Sequence, residues 1–301
     1  MRLGIGSYTF TWAVGVSGYP PATPLDPVGL LEKAASLGVS VAQFCENLPL
    51  DRLTPEELDA FRGHARELGI GIEVGTRGIR PEHLLSYLRL AKFLGSPIVR
   101  VVIDTADEKP AADDVPALLK EVMPEFERSG VTLAIENHDR FAAGTLAKIV
   151  EQIGSPNAGV CLDTVNSFGA LERPEVVVDA LAHLVVNLHI KDFAVERAPH
   201  QMGFTVEGRP AGQGRLDIPS LLRKLAAAGK DPNAILELWT PPEQTVEATI
   251  AKEESWARQS VEYLRTIEGV EGVEGSPLPI QGSAGEGSSS VFNFQPLPPN
   301  S

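Results

Sequence analysis

The strongest constraint on this chain is a regular alternation of two kinds of segment. Short apolar, β-rich runs recur at 3–8, 39–44, 70–74, 98–103, 131–136, 158–163, 185–190 and 234–238. Segments with helical spacing lie between and after them, at 54–68, 81–94, 113–128, 144–153, 174–183, 217–228 and 245–267. TPEELDAFRGHAREL (54–68) is the clearest. Thr54 is placed to cap, Pro55 suits the first turn and Glu57 completes a capping box, while Leu58, Phe61, Ala65 and Leu68 fall on one face. Gly38, Gly69, Gly95, Gly130 and Gly229 stand where helices should stop. Eight strands alternating with helices imply a parallel sheet. Eight units in about 265 residues fit a closed (β/α)8 TIM barrel better than an open doubly wound sheet. No glycine-rich phosphate loop follows the first run, which weakens a dinucleotide-binding reading.

The expected organisation is one α/β domain over 1–267 followed by a Gly/Ser/Pro-rich segment, 268–301, with too little apolar periodicity to pack. That segment is expected to be a disordered tail. Its apolar island VFNF suits docking on a partner or a second subunit, so a homo-oligomer is one expectation.

Charge and composition narrow the function. Lys and Arg number 26 against 40 Asp and Glu, a net charge of −14, which disfavours nucleic acid and anionic membrane surfaces as partners. The two cysteines, Cys45 and Cys161, lie in apolar runs and make neither a disulfide framework nor a Cys-rich zinc motif. The opening MRLGIGSYTF lacks the charged start and long apolar stretch of a signal peptide, and no run reaches the roughly 18 apolar residues of a membrane span. A reducing cytoplasm is the expected compartment.

The chemistry should sit at the carboxyl ends of the strands. VVNLHIKDF (185–193) begins as a core strand and yet delivers His189, Lys191 and Asp192 at its far end. The fifth run ends in Glu136, followed by Asn137 and His138; the sixth ends in Asp163; the eighth carries Glu237. Four consecutive strands thus each bring one potential metal ligand to one rim. Taken singly, each has an ordinary structural explanation: a solvated rim carboxylate, a hydrogen-bonded core histidine, a helix-capping Asp. Taken together, three carboxylates and an imidazole suit an octahedral divalent ion. Mn²⁺ is the first choice, with Mg²⁺, Co²⁺ and Zn²⁺ as alternatives. His64, His83 and His183 fall within helical segments and read as surface or packing residues.

AIENHDRF, GVCLDTVNSFG, NLHIKDF and AILELW, in this order, resemble the xylose isomerase-like TIM-barrel superfamily over roughly residues 1–267. That superfamily includes sugar isomerases, ketose 3-epimerases, hydroxypyruvate isomerases, inosose dehydratases and endonuclease IV. The resemblance implies that Glu136, Asp163, His189 and Glu237 bind a divalent metal, with Glu136 and Glu237 as the acid/base pair. It implies a small carbohydrate substrate handled through an enediolate. The ketose 3-epimerase pattern is not reproduced: its further Glu, its His and its substrate Arg would fall at Ala142, Asn166 and Val195. HIKD is closer to inosose dehydratases and related keto-sugar enzymes, which would make Lys191 an electrophile or oxyanion partner.

Substrate contacts are expected from His138, Asn166, Lys191, Arg197 and His200. Arg197 and His200 belong to a long segment, 194–220, expected to be a loop over the mouth. Tyr8, Phe10 and Trp12 are candidates for an aromatic wall. The first expectation is an isomerase or epimerase of a small sugar or keto-sugar. The second is a metal-dependent lyase, a dehydratase, decarboxylase or eliminase, acting on a 3-oxo sugar or sugar acid. A metal-free binding protein and an endonuclease IV-like repair enzyme rank last, because the ligand set is complete and the chain is acidic.

Overall fold

The computed structural model describes residues 1–271. Its strands are β1 (Leu3–Gly6), β2 (Val41–Phe44), β3 (Gly71–Arg77), β4 (Ile98–Val102), β5 (Thr132–Glu136), β6 (Ala158–Asp163), β7 (Val185–Ile190), β8 (Asp192–Arg197), β9 (Phe204–Arg209) and β10 (Asn233–Leu236). All eight apolar runs are strands of one closed parallel barrel, in the ring order β1-β10-β7-β6-β5-β4-β3-β2. β8 and β9 form a separate antiparallel arm. No helix among the described residues is long and apolar enough to cross a membrane.

Local chemistry sets the helices. Thr54 caps the helix Pro55–Glu67 through its side chain, and Glu57 closes the capping box. That helix packs through Phe61, whose ring meets Phe44 of β2 edge-to-face at 5.2 Å. The segment 113–128 is two helices, Val115–Lys120 and Met123–Ser129, rather than one. Pro124 has no N–H to continue the first helix, and it suits the opening turn of the second. A helix that the spacing did not single out, Pro27–Leu37, links β1 to β2 and is capped by Asp26.

Two expectations change. The segment after β7 is not a structureless loop: β8 and β9 pair from Asp192↔Arg209 to Arg197↔Phe204. Alternation runs through both halves, but nothing local to either names the other as its partner. The chain past Ile267 also continues to pair. Glu271 bridges Arg2, with the Leu3 N–H donating to the Glu271 carbonyl at 3.0 Å and the Glu271 N–H to the Met1 carbonyl at 2.8 Å. The barrel's backbone bonding thus extends four residues into the expected tail. Residues 272–301, VFNF included, lie outside the described residues.

One carboxylate fastens the segment that follows the arm to the arm's first residue. Asp192 is buried, and it accepts from the backbone N–H groups of Phe193 (2.8 Å), Gly212 (2.9 Å), Gly214 (2.9 Å) and Leu216 (3.0 Å). Four charge-assisted bonds converge on one side chain, and each N–H would otherwise be unmatched. Asp192→Ala should therefore cost about 2–5 kcal/mol in urea unfolding, since hydrogen bonds to a charged group run at about 1.5–3 kcal/mol each and do not add fully. Limited proteolysis of that variant should cut first within 198–216.

Candidate metal centre and substrate cavity

Strand register assembles the site. Asp163 stands beside His189 across β6 and β7, and His189 stands beside Ile235 of β10. Glu136 pairs with Cys161, two residues before Asp163, and Glu237 lies two residues past Ile235. Side chains two apart share a face of a strand, so all four ligand candidates point inward at the carboxyl-terminal rim. All four are buried. The ligand atoms of Asp163, His189 and Glu237 lie within 4.8 Å of one another, and so do those of Glu136, Cys161 and His189.

The imidazole is oriented from below. Within the barrel Glu73 accepts from Gln43 (3.0 Å), Asn187 (3.0 Å) and Asn233 (2.6 Å). The Gln43 amide NH₂ is committed to Glu73 and to Asn187 Oδ1, so its carbonyl oxygen faces His189 Nε2 at 2.7 Å. Nε2 must donate, which leaves Nδ1 to present a lone pair in the neutral ring. Nδ1 has no hydrogen-bond partner and lies 3.3 Å from Glu136, 3.3 Å from Glu237 and 3.8 Å from Asp163. A buried acceptor nitrogen facing three carboxylate acceptors fits a cation at their centre. Both oxygens of Glu237 are likewise without a hydrogen-bond donor. The residues present therefore fit a divalent metal.

Fixed cations balance the remaining charge. Arg100, in the apolar run of β4, is buried and pairs with both Glu136 and Glu46, the latter at 2.8 Å. Burial alone would raise the Glu136 pKa; the Arg100 guanidinium, with the Lys191 ammonium, outweighs it and holds the carboxyl well below the usual carboxylate range. Burial also opposes the charge on Lys191, but Asp163, Glu237 and Glu136 prevail and hold its pKa well above the usual lysine value. The Lys191 ammonium lies 2.6 Å from Asp163 Oδ2 and 2.7 Å from Glu237 Oε2, the second contact without hydrogen-bond alignment. Lys191 and Asp192 thus form no surface pair: consecutive side chains turn to opposite sides, one into the site and one into the arm.

Above this layer opens a cavity of about 570 Å³. Glu136, Glu237, His138, Asn166 and Lys191 line it, as do Tyr8 and Trp12 of the expected aromatic wall. Phe10 is buried in the core instead. Asn166 donates to Glu136 Oε1 at 2.7 Å, and its backbone N–H donates to Asp163 Oδ1 at 2.9 Å. Arg197 and His200 do not line the cavity. Arg197 is exposed on the arm, its guanidinium 4.4 Å from the Phe204 ring, and His200 is exposed at the turn, accepting from the Met202 N–H. The arm contributes Val206, Glu207 and Gly208 to the lining. Gly208 passes so close to Trp239 that a Cβ would fall 2.1 Å from its carbonyl oxygen.

Sequence reasoning missed Glu46, Arg77 and Arg100, which bring most of the charge on the far side of the cavity. Arg100 carried a signal, an arginine in the middle of a buried strand run, which demands a carboxylate partner. Glu46 and Arg77 had none beyond their place just after or at a strand end.

A closed ring of eight parallel strands, with a candidate metal-ligand cluster of carboxylates and an imidazole at the carboxyl-terminal rim, defines a TIM barrel. Residues 31–267 match the family model described as xylose isomerase-like TIM barrel, and the chain belongs to that family. Among curated proteins it is 38% identical over 266 residues to 3-oxo-isoapionate decarboxylase of Pectobacterium atrosepticum, covering 88% of this chain and 96% of that protein. Among solved structures, D-psicose 3-epimerase from Clostridium cellulolyticum H10 with D-tagatose superposes with a TM-score of 0.68 at 16% identity, covering 89% of this chain and 99% of that one. A xylose isomerase-like TIM barrel protein from Mycobacterium smegmatis in complex with magnesium gives 0.64 at 13% identity, covering 87% and 97%. At these identities the two structures carry the fold alone.

The orientation of His189 by Gln43 is directly testable. Gln43→Leu should weaken binding of a divalent ion by about 10–100-fold, the usual effect of removing a partner behind a metal-bound histidine. Competition with a chelating dye would measure it, and unchanged affinity would mean that the amide does not set the ring.

Proposed function

We propose that this protein is a divalent-metal-dependent decarboxylase of a 3-oxo sugar acid. The observation that carries this reading is the 38% identity, over nearly the full length of both chains, to a protein described as 3-oxo-isoapionate decarboxylase. It moves the lyase ahead of the isomerase or epimerase that the strand-end residues first suggested. The missing epimerase positions, Ala142, Asn166 and Val195, favour the same move.

In this reading Glu136, Asp163, His189 and Glu237 hold the metal, with Mn²⁺ the first choice. A divalent ion there would supply a Lewis acid for neighbouring hydroxyl and carbonyl oxygens. The chain's own groups supply the rest. When the carboxylate departs as CO₂, its bonding pair stays on the α carbon and spreads onto the 3-oxo oxygen. That oxygen needs positive charge nearby, and the α carbon needs a proton. Lys191 brings the charge, because its neighbouring carboxylates keep it an ammonium. Glu237 carries the proton, which water at the open mouth replaces. Glu136 is less available for proton transfer, since Arg100 and Asn166 engage its two oxygens. Tyr8, Trp12 and Trp239 offer apolar faces to the sugar carbons and limit water around the reacting centre.

Purified protein with Mn²⁺ and 3-oxo sugar acids should release CO₂. In D₂O the product should carry one solvent deuterium at the carbon that lost the carboxylate. Solvent exchange into substrate with no CO₂ would replace this reading with an isomerase. Removal of metal by EDTA should abolish turnover, and added Mn²⁺ should restore it.

Glu237→Gln should lower kcat by about 10²–10⁴-fold, the usual scale of general acid/base catalysis, and excess metal should not rescue it. His189→Ala should instead lose metal occupancy and be partly rescued by excess Mn²⁺. A Gln variant keeping more than about a tenth of its activity at saturating metal would remove Glu237 from proton transfer and shift that role to Lys191 or His138.

A further inference from the structure

The metal-ligand candidates occupy one half of the ring, on β10, β7, β6 and β5. Arg77 closes β3, which stands opposite β7 in the ring order. It lines the cavity and is about one-third exposed. Its guanidinium is poorly committed. Nε has no hydrogen-bond partner; its contact with Glu46 Oε1 is long, at 3.4 Å; and Nη2 lies 3.3 Å from His138 Nε2. Arg100 beside it is the reverse case, buried and paired at close range with two carboxylates. Of the two arginines on this wall, only Arg77 has donors to offer a ligand.

We infer that Arg77, with His138 beside it, receives the carboxylate of the substrate. The inference rests on the decarboxylase reading, which requires a carboxylate on the substrate. A guanidinium presents a planar pair of N–H donors that matches a carboxylate, and this one sits across the cavity from the metal-ligand half. The sugar acid then spans the mouth, with its hydroxyl and carbonyl oxygens toward His189 and its carboxylate toward β3. The looseness of the site suits the chemistry. A carboxylate gripped by several short ion pairs would be stabilised before reaction and would resist giving up its charge to the 3-oxo oxygen. Arg77, shared with Glu46, anchors the group without that penalty, so its contribution falls on binding more than on the chemical step.

The test uses the Mn²⁺-loaded full chain and two unreactive probes, a four-carbon aldonate and the alditol of the same length, titrated by calorimetry. Wild type should prefer the aldonate. Arg77→Ala should lose that preference, weakening the aldonate by about 10–100-fold while leaving alditol affinity and metal content unchanged. Arg77→Lys should keep part of the preference, and added guanidinium should restore part of it to the Ala variant. With a turning-over 3-oxo acid, KM should rise more than kcat falls. If wild type prefers the aldonate and Arg77→Ala does too, Arg77 is not the carboxylate site, though the decarboxylase reading stands. If wild type shows no preference, the acid-substrate reading itself fails and the inference falls with it.

Discussion

Burying like charges at one rim is tenable only where each is answered, and the architecture of this mouth follows from that cost. Glu136, Asp163 and Glu237 are all withdrawn from water around His189. An unpaired buried carboxylate costs several kcal/mol, more than any single side chain's packing returns. Arg100 answers Glu136, Lys191 answers Asp163 and Glu237, and the unpartnered Nδ1 of His189 is directed at the centre of all three. Each answer constrains another element. Arg100 must come from a strand neighbouring β5, and it draws Glu46 in from beyond β2 to share its second face.

A polar scaffold inside the barrel keeps that cluster in register. Most of the interior is apolar, as a filled (β/α)8 barrel requires. Glu73, Gln43, Asn187 and Asn233 interrupt it with a closed hydrogen-bond network drawn from β3, β2, β7 and β10. Such a network is worth its burial only when every member is satisfied, and a satisfied one fixes orientation better than packing does. Here it ends on the imidazole. The ring of His189 is held from beneath by amides and free only towards the mouth.

The barrel was legible because each strand is a self-contained apolar run, bounded by capping and stop signals that need no knowledge of its neighbours. The convergence of Glu136, Asp163, His189 and Glu237 was legible for a related reason: in a parallel barrel all strands end at the same rim, so position along a strand stands in for position in space. What could not be read is whatever depends on pairing between distant segments. Arg197 looked like a substrate contact because it lies soon after β7, but the hairpin carries it outward onto Phe204. Arg77 is silent in the sequence because nothing in GIEVGTR says which side its last residue faces. The stretch after β7 reads as a loop in the sequence because β8 and β9 support each other and neither is persuasive alone. Glu271 bonds to the opening residues of the chain, a contact that composition does not encode.

The step from Lys191 to Asp192 ties length to function. One side chain enters the carboxylate cluster and its neighbour gathers the backbone that follows the arm, because alternate residues of an extended chain face opposite ways. A substitution of either residue removes that residue's own contacts and leaves its neighbour's in place. A single-residue insertion or deletion there would turn the acid towards the carboxylates and the amine towards the amide hydrogens, reversing both partnerships at once. In a lineage of such proteins, the length from His189 to Asp192 should drift far less than the composition around it, and gaps in this stretch should be rarer than substitutions.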